Sequence, residues 1–331
     1  MVYTRSMMKQ KKSAEAKTNN QTWLNLPFDL TLLIMQRMSL KDNIRASVVC
    51  KTWHKASVSV RVEDPTPWAM FIPIYKDQYQ LYDPSRGKTH IVKFPKIGGL
   101  EICYSRDGWL LMHEERSFKD YLFFNPFTHE RIEVAWPRMW FISDAIAFSC
   151  APTSSSCVLV SVSDISKTFI CIKTYRPTTK KWTTLTLPNQ LPLTHKGFRH
   201  IVFSNGVFYC LTKIGCLGMF DLYTNSWNVL LEPPPKFFEI SDDQCFMTEY
   251  QGDVYLVYSH GPNRKPTFLK LDLTNRKWTV KRRLPGLTFY LGFQSAVTTN
   301  RDFVDTQRLN VRSLSNVWIK PPINVSNLFK S

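Results

Sequence analysis

Apolar residues along the chain fall into two textures. Between Trp23 and Trp53 they recur at helical spacing. Leu30, Ile34 and Met38 stand four apart with Leu33 beside them, which predicts an amphipathic helix. Pro27 suits its first turn, where the missing N–H is not needed, and Asp29 puts negative charge near the positive helix end. Leu40, Ile44, Val48, Val49 and Trp53 supply the apolar side of a second helix, which Ser39 can cap with Asp42 three residues on. Glu63-Asp64-Pro65-Thr66-Pro67 ends this texture, because each proline disfavours helix in the residue before it. Residues 1–22 are polar, basic and aperiodic, and read as a disordered tail. Within them Lys9 to Lys12 make a weak nuclear signal.

From Trp68 onward the pattern changes to short β-rich runs between turn residues. The run ends repeat. Tyr82-Asp83-Pro84, Phe124-Asn125-Pro126, Tyr175-Arg176-Pro177, Phe220-Asp221-Leu222 and Leu271-Asp272-Leu273 are each followed by Ile91, Ile132, Trp182, Trp227 or Trp278 and then by a proline. The second residue of each unit falls at 83, 125, 176, 221 and 272, so the steps are 42, 51, 45 and 51. An aromatic or Leu closes one strand, Asp or Asn builds the turn through its side chain, and Trp or Ile starts the next strand and packs inward. Asn205-Gly206 predicts a tight hairpin between two such strands. About four strands in a 42–51 residue period suit a β-propeller blade. The 266 residues from Thr66 onward make about six blades at ~46 residues each. The expected domains are therefore 1–22 tail, 23–62 helical and 66–331 propeller. The polar stretch after Val297 and Lys320-Pro321-Pro322 leave the closing blade in question.

Composition narrows the function. Only 12 glycines occur in 331 residues, which argues against glycine-loop nucleotide sites. No phosphate loop, G-x-S-x-G or H-E-x-x-H is present. The eight cysteines include no C-x-x-C, and the chain opens without an apolar signal segment, so free thiols in a reducing compartment are expected. His195 and His200 fit ordinary polar roles, and Asp83, Asp221 and Asp272 fit turn geometry. No cofactor, metal or catalytic set is expected, and no apolar run reaches the ~18 residues that span a membrane.

The net charge is +17, and the first 62 residues hold 11 basic and 3 acidic groups. Such a field attracts acidic partners. A second concentration lies at Arg264, Lys265, Lys270, Arg276, Lys277, Lys281, Arg282 and Arg283, against Asp272 alone. These residues could meet an acidic or phosphorylated partner.

Leu26-Pro27, Asp29-Leu30, Ile34, Leu40, Asp42, Arg45 and Val49-Cys50-Lys51-x-Trp53 resemble an F-box. The aromatic–Asp–x–x–Thr–x–x–Trp spacing is similar to kelch repeats, although the kelch diglycine is largely missing. Together they resemble the plant F-box group that includes the kinase-interacting KIB proteins. The resemblance implies a multidomain chain: a small all-α F-box, then an all-β, kelch-like propeller of about six blades. It implies a non-catalytic adaptor of an SCF-type ubiquitin ligase in the nucleus, the cytoplasm or both. Leu26, Pro27, Leu30, Ile34, Leu40, Val49, Cys50 and Trp53 would bind a Skp1-like protein, and through it a cullin. The propeller would bind a target protein, a kinase being one candidate, and Arg264, Lys265, Arg276, Lys277, Lys281, Arg282 and Arg283 are its candidate contacts. The alternative is a basic propeller that binds nucleic acid or another acidic partner without a ligase role. No nucleic-acid-binding module is recognisable, and the repeat explains Trp182, Trp227 and Trp278 as packing residues.

Overall fold

The computed structural model describes residues 26–38, 43, 46–60, 66–71, 78–84, 87–93, 100–114, 120–135, 145–164, 166, 168–192, 197–241, 244–260, 264–292, 295–299 and 316–321. The tail at 1–22 and the candidate contact Leu40 lie outside them. The chain divides into two compact units, one holding the helices and the other spanning residues 64–322.

In the first unit α1 spans Phe28–Arg37 and α2 spans Lys51–Ser59. Pro27 stands just before α1 (φ −52°, ψ 141°) and not inside its first turn. Its carbonyl accepts the Thr31 N–H at 3.0 Å and the Thr31 hydroxyl at 3.2 Å. Asp29 lies in the first turn, as expected. The second helix does not carry Val48, Val49 and Trp53 together. Residues 47–49 turn, Cys50 is extended (φ −160°, ψ 171°), and α2 starts only at Lys51. The β-branched pair Val48-Val49 is a poor helix former, and Val49 N–H bonds Ala46 O in a tightened last turn at 3.1 Å. Met35, Ala46 and Ala56 form the core, with Met38, Trp53 and Val60 packed around it. The inward face of α1 is thus Thr31, Met35 and Met38, one position round from the Leu30–Ile34 stripe.

The second unit is built from antiparallel sheets. The first joins β1 (Trp68–Phe71), β2 (Gln78–Asp83) and β3 (Lys88–Lys93) to the C-terminal β22 (Asn316–Ile319). The next four are consecutive meanders. They run β4 (Leu100–Arg106), β5 (Trp109–Glu114), β6 (Asp120–Phe124), β7 (Arg131–Ala135); then β8 (Ala145–Phe148), β9 (Leu159–Asp164), β10 (Phe169–Arg176), β11 (Lys181–Pro188). They continue β12 (Phe198–Ser204), β13 (Val207–Thr212), β14 (Leu217–Asp221), β15 (Ser226–Leu230); and β16 (Cys245–Tyr250), β17 (Asp253–Tyr258), β18 (Thr267–Asp272), β19 (Lys277–Lys281). A last sheet pairs β20 (Thr288–Gly292) with β21 (Ser295–Thr299).

The inner strands β22, β4, β8, β12, β16 and β21 follow one another around a ring. The fold is therefore a β-propeller. Against the expected six or so, five blades are four-stranded, and the sixth sheet has two strands among the described residues. In that sheet β21 is inner, since Thr248 on β16 bonds Ala296 O at 3.0 Å. Phe289 on β20 packs farther out against Tyr255 and Phe268.

The ring closes despite the polar C-terminal segment. Val317, Trp318 and Ile319 are buried and pair with Met70, Ala69 and Trp68. Trp318 Nε1 also donates to Leu291 O at 3.0 Å, tying the first blade to the last sheet. The interrupting prolines fall just after this strand, so they end it without preventing it.

The repeat's chemistry is visible in the turns. Asn125 Oδ1 accepts Phe127 and Thr128 N–H, and Asp221 Oδ1 accepts Tyr223 and Thr224 N–H. Asp272 Oδ1 accepts Asn275 N–H at 3.0 Å. These donors hold the Asp221 carboxyl below its ordinary pKa, Thr224 N–H first; for Asp272 the Asn275 side chain leads. Asn205 and Gly206 take φ 47° and 83°, the left-handed pair of a tight hairpin. The tryptophans join blades: Trp227 packs in the core shared with the third blade, Trp278 in that shared with the fourth. Trp182 Nε1 reaches back to Ala135 O at 2.9 Å.

Candidate partner-binding surfaces

The helical unit leaves much of its apolar surface outside its small core. Leu30 is 50% exposed, Leu33 49%, Val49 53% and Val48 84%. Phe28 and Val58 are exposed too. Isolated apolar residues on a surface are ordinary; among the described residues of this unit six large apolar ones are exposed. Of the expected contacts, Pro27, Leu30 and Val49 are exposed, while Leu26, Ile34 and Cys50 are half-buried. Trp53 packs on Met35, Ala46 and Ala56, so it supports the surface more than it forms it. Phe28 and Val58 were not legible as contacts. Phe28 precedes the periodic stripe, and Val58 lies in a stretch of α2 with mixed polarity.

The basic segment does not form one cluster. It folds as the outer hairpin of the fifth blade, with Phe268 opposite Lys281 and Asp272 opposite Lys277. Arg264, Lys265, Lys281, Arg282 and Arg283 therefore gather at one end. Arg276 and Lys277 sit at the other, about 17 Å away for five residues of strand. Two of the eight cations serve the fold: Lys270 pairs with Asp253 at 2.6 Å, and Arg276 donates to Val229 O on the fourth blade at 3.0 Å. Arg264, Lys265, Arg282 and Arg283 are exposed, and no carboxylate occurs between Asp272 and Asp302.

The inner strands hold ionisable groups whose partners sequence reading did not identify. Arg106, at the end of β4, donates to Glu249 Oε2 on β16 and to Phe203 O on β12, each at 2.9 Å. His200 on β12 donates from Nε2 to Cys245 O at 2.6 Å, which fixes the tautomer. Burial pushes His200 down to about 4, partly opposed by that hydrogen bond, so its imidazole is neutral. Both groups are held by other parts of the protein. Among the described residues no group of three His, Cys, Asp or Glu could hold a metal ion, and no helix is long and apolar enough to cross a membrane.

Residues 23–64 match the F-box domain family, and residues 81–308 match the family described as KIB1-4 beta-propeller. The chain belongs to the F-box proteins with a KIB1-4 beta-propeller. It is 42% identical to the F-box protein At3g56470 of Arabidopsis thaliana, over 94% of this chain and 92% of that one. It is 39% identical to the F-box/kelch-repeat protein At1g57790 of the same plant, over 92% of this chain and 96% of the relative. The F-box/kelch-repeat protein KIB1 of that plant is 37% identical over 38% of this chain and 36% of its own length. The F-box match covers the helical unit, and the propeller match covers most of the ring of sheets.

Proposed function

We propose that this F-box protein is the substrate-recognition subunit of an SCF-type ubiquitin ligase. The observation that carries the reading is the F-box that exposes Leu30 and Leu33 on α1 and Val48 and Val49 on the turn before α2. Apolar anchors of this kind suit a groove on a Skp1-like protein, which in turn joins a cullin. The propeller holds a target protein, and the ligase gains rate by raising the local concentration of that target near the charged enzyme. Such a subunit needs no nucleophile, metal or cofactor, and it works in the nucleus, the cytoplasm or both.

Target contact falls to the basic end of the fifth blade, where Arg264, Lys265, Lys281, Arg282 and Arg283 suit an acidic or phosphorylated segment. A protein kinase is one candidate. Co-purification with a Skp1-like protein tests the ligase reading, and the Leu26→Ala/Pro27→Ala double variant should abolish it. Unchanged recovery would sink the assignment.

The charge of +17 favours a second reading, a propeller that binds nucleic acid through phosphate contacts. That binding would weaken steeply with salt and ignore sequence. Titration at two salt concentrations separates it from target recognition.

A further inference from the structure

The loop between β8 and β9 carries two cysteines in register. Phe148 pairs with Leu159 at the end of the ladder. Beyond it the pairing continues: Ser149 N–H donates to Val158 O and Val158 N–H to Ser149 Oγ, both at 3.0 Å. The next facing pair is Cys150 and Cys157. It lies one step beyond the Ser149–Val158 contact, and facing residues of an antiparallel pair have Cα atoms about 4.5–5.5 Å apart. A disulfide needs ~4.4–6.8 Å. The sulfur atoms are already turned into the loop: Cys157 Sγ lies 3.1 Å from Cys150 O, and Cys150 Sγ lies 3.5 Å from Ser156 Oγ.

The two thiols differ in access. Cys157 is fully buried, whereas Cys150 is partly exposed. Burial, then the neighbouring Cys150, pushes the Cys157 thiol up to about 12. Three other strand cysteines, Cys171, Cys210 and Cys245, face Ser163, Ile201 and Tyr258 instead. The loop itself is pre-folded, with Ser154 N–H on Ala151 O at 2.9 Å and Cys157 N–H on Ser154 O at 3.1 Å.

We propose that Cys150 and Cys157 form a peroxide-oxidisable dithiol that closes to an intramolecular disulfide on the third blade. Cys150 attacks hydrogen peroxide, which breaks the O–O bond, gives Cys150 sulfenic acid and releases one water. Cys157 then attacks that sulfur. The S–O bond breaks, the S–S bond forms and a second water leaves. The thiols together lose two electrons and two protons, and one peroxide takes them up. The step is reversed by a dithiol reductant.

Peroxide treatment of the full chain tests this, followed by blocking of remaining thiols and digestion without reductant. A single peptide that carries both Cys150 and Cys157 unblocked is expected, about 2 Da lighter than its reduced form, and the difference is lost on adding dithiothreitol. Recovery of both cysteines as blocked thiols overturns the proposal, as does linkage of Cys150 to any other cysteine. In Cys157→Ala, dimedone should trap Cys150 as its sulfenic acid adduct. Peroxide-treated variant without that adduct overturns the order of attack.

Discussion

Arg106 and Glu249 meet across the centre of the propeller, 2.9 Å apart and 143 residues apart in the chain. Arg106 ends the inner strand of the second blade, and Glu249 lies on that of the fifth. The second guanidinium nitrogen holds Phe203 O of the fourth blade, so one side chain ties the second blade to the fourth and fifth. Burial alone would lower the Arg106 pKa, but Tyr104, Glu249 and Asp107 outweigh it and hold the group charged. Both side chains are 21% exposed, so solvent screens the pair only in part. Arg106→Met leaves Glu249 half-buried without its cation and should destabilise the propeller by about 2 kcal/mol. Urea unfolding of Arg106→Met, Glu249→Gln and the double variant should give a coupling of about 1–3 kcal/mol. Additive single effects would show that the tie contributes nothing.

Gly218 exists for Trp227. A Cβ at Gly218 would stand 2.1 Å from the Trp227 ring. The indole cannot simply swing aside, because it is buried with Phe198 edge-on at 6.4 Å. Gly218→Ala should lower stability by about 1–3 kcal/mol through this overpacking. Thermal unfolding measures the loss, and an unchanged midpoint would show that the blade has room.

His200 makes stability depend on pH. Its folded pKa of about 4 lies below the ordinary 6.5, so the unfolded chain binds the proton more readily. The stabilisation is fully present above pH 6.5 and falls as pH drops through the window to about 4. The full loss is up to about 3 kcal/mol. Urea midpoints at pH 7.5 and pH 5 should differ, and His200→Gln should flatten that difference. An equal slope in the variant would assign the effect to other groups.

Leu30→Asp and Val49→Asp should leave the helices intact, since both side chains are more than half or half exposed. Affinity for a Skp1-like protein should fall more than tenfold in each, as befits apolar interface anchors. Circular dichroism checks the fold and calorimetry the affinity. Retained binding would move the interface off these residues.

At the fifth blade, Arg282→Glu/Arg283→Glu should weaken target capture, and salt should do the same to the wild type. Lys277→Glu lies at the opposite end of the hairpin and should change capture little. Equal losses from both would show that the contact is charge attraction without a defined face.

Much of this architecture was legible in the sequence because it is locally encoded. Leu30, Ile34 and Met38 announced a helix, and the recurring Asp, Asn and Trp announced blades, because turn chemistry and strand alternation act over a few residues. Helix ends were less legible: Val48 and Val49 fit an apolar face, but their β-branching disfavours helix there, and the core around Ala46 and Ala56 forms without them. The basic segment read as one patch because sequence order ignores the hairpin that carries its halves to opposite ends.

By itself, then, the sequence determined the F-box, the propeller and the absence of a recognisable catalytic motif. Tertiary structure alone decided that Asn316–Ile319 closes the ring on Trp68–Phe71 and that Arg106 meets Glu249. It also set Cys157 Sγ against Cys150 O. The closing strand and the ion pair join residues hundreds of positions or more than a hundred positions apart. Such pairings carry no local signal, because their partners become neighbours only once the blades have wrapped around a common axis.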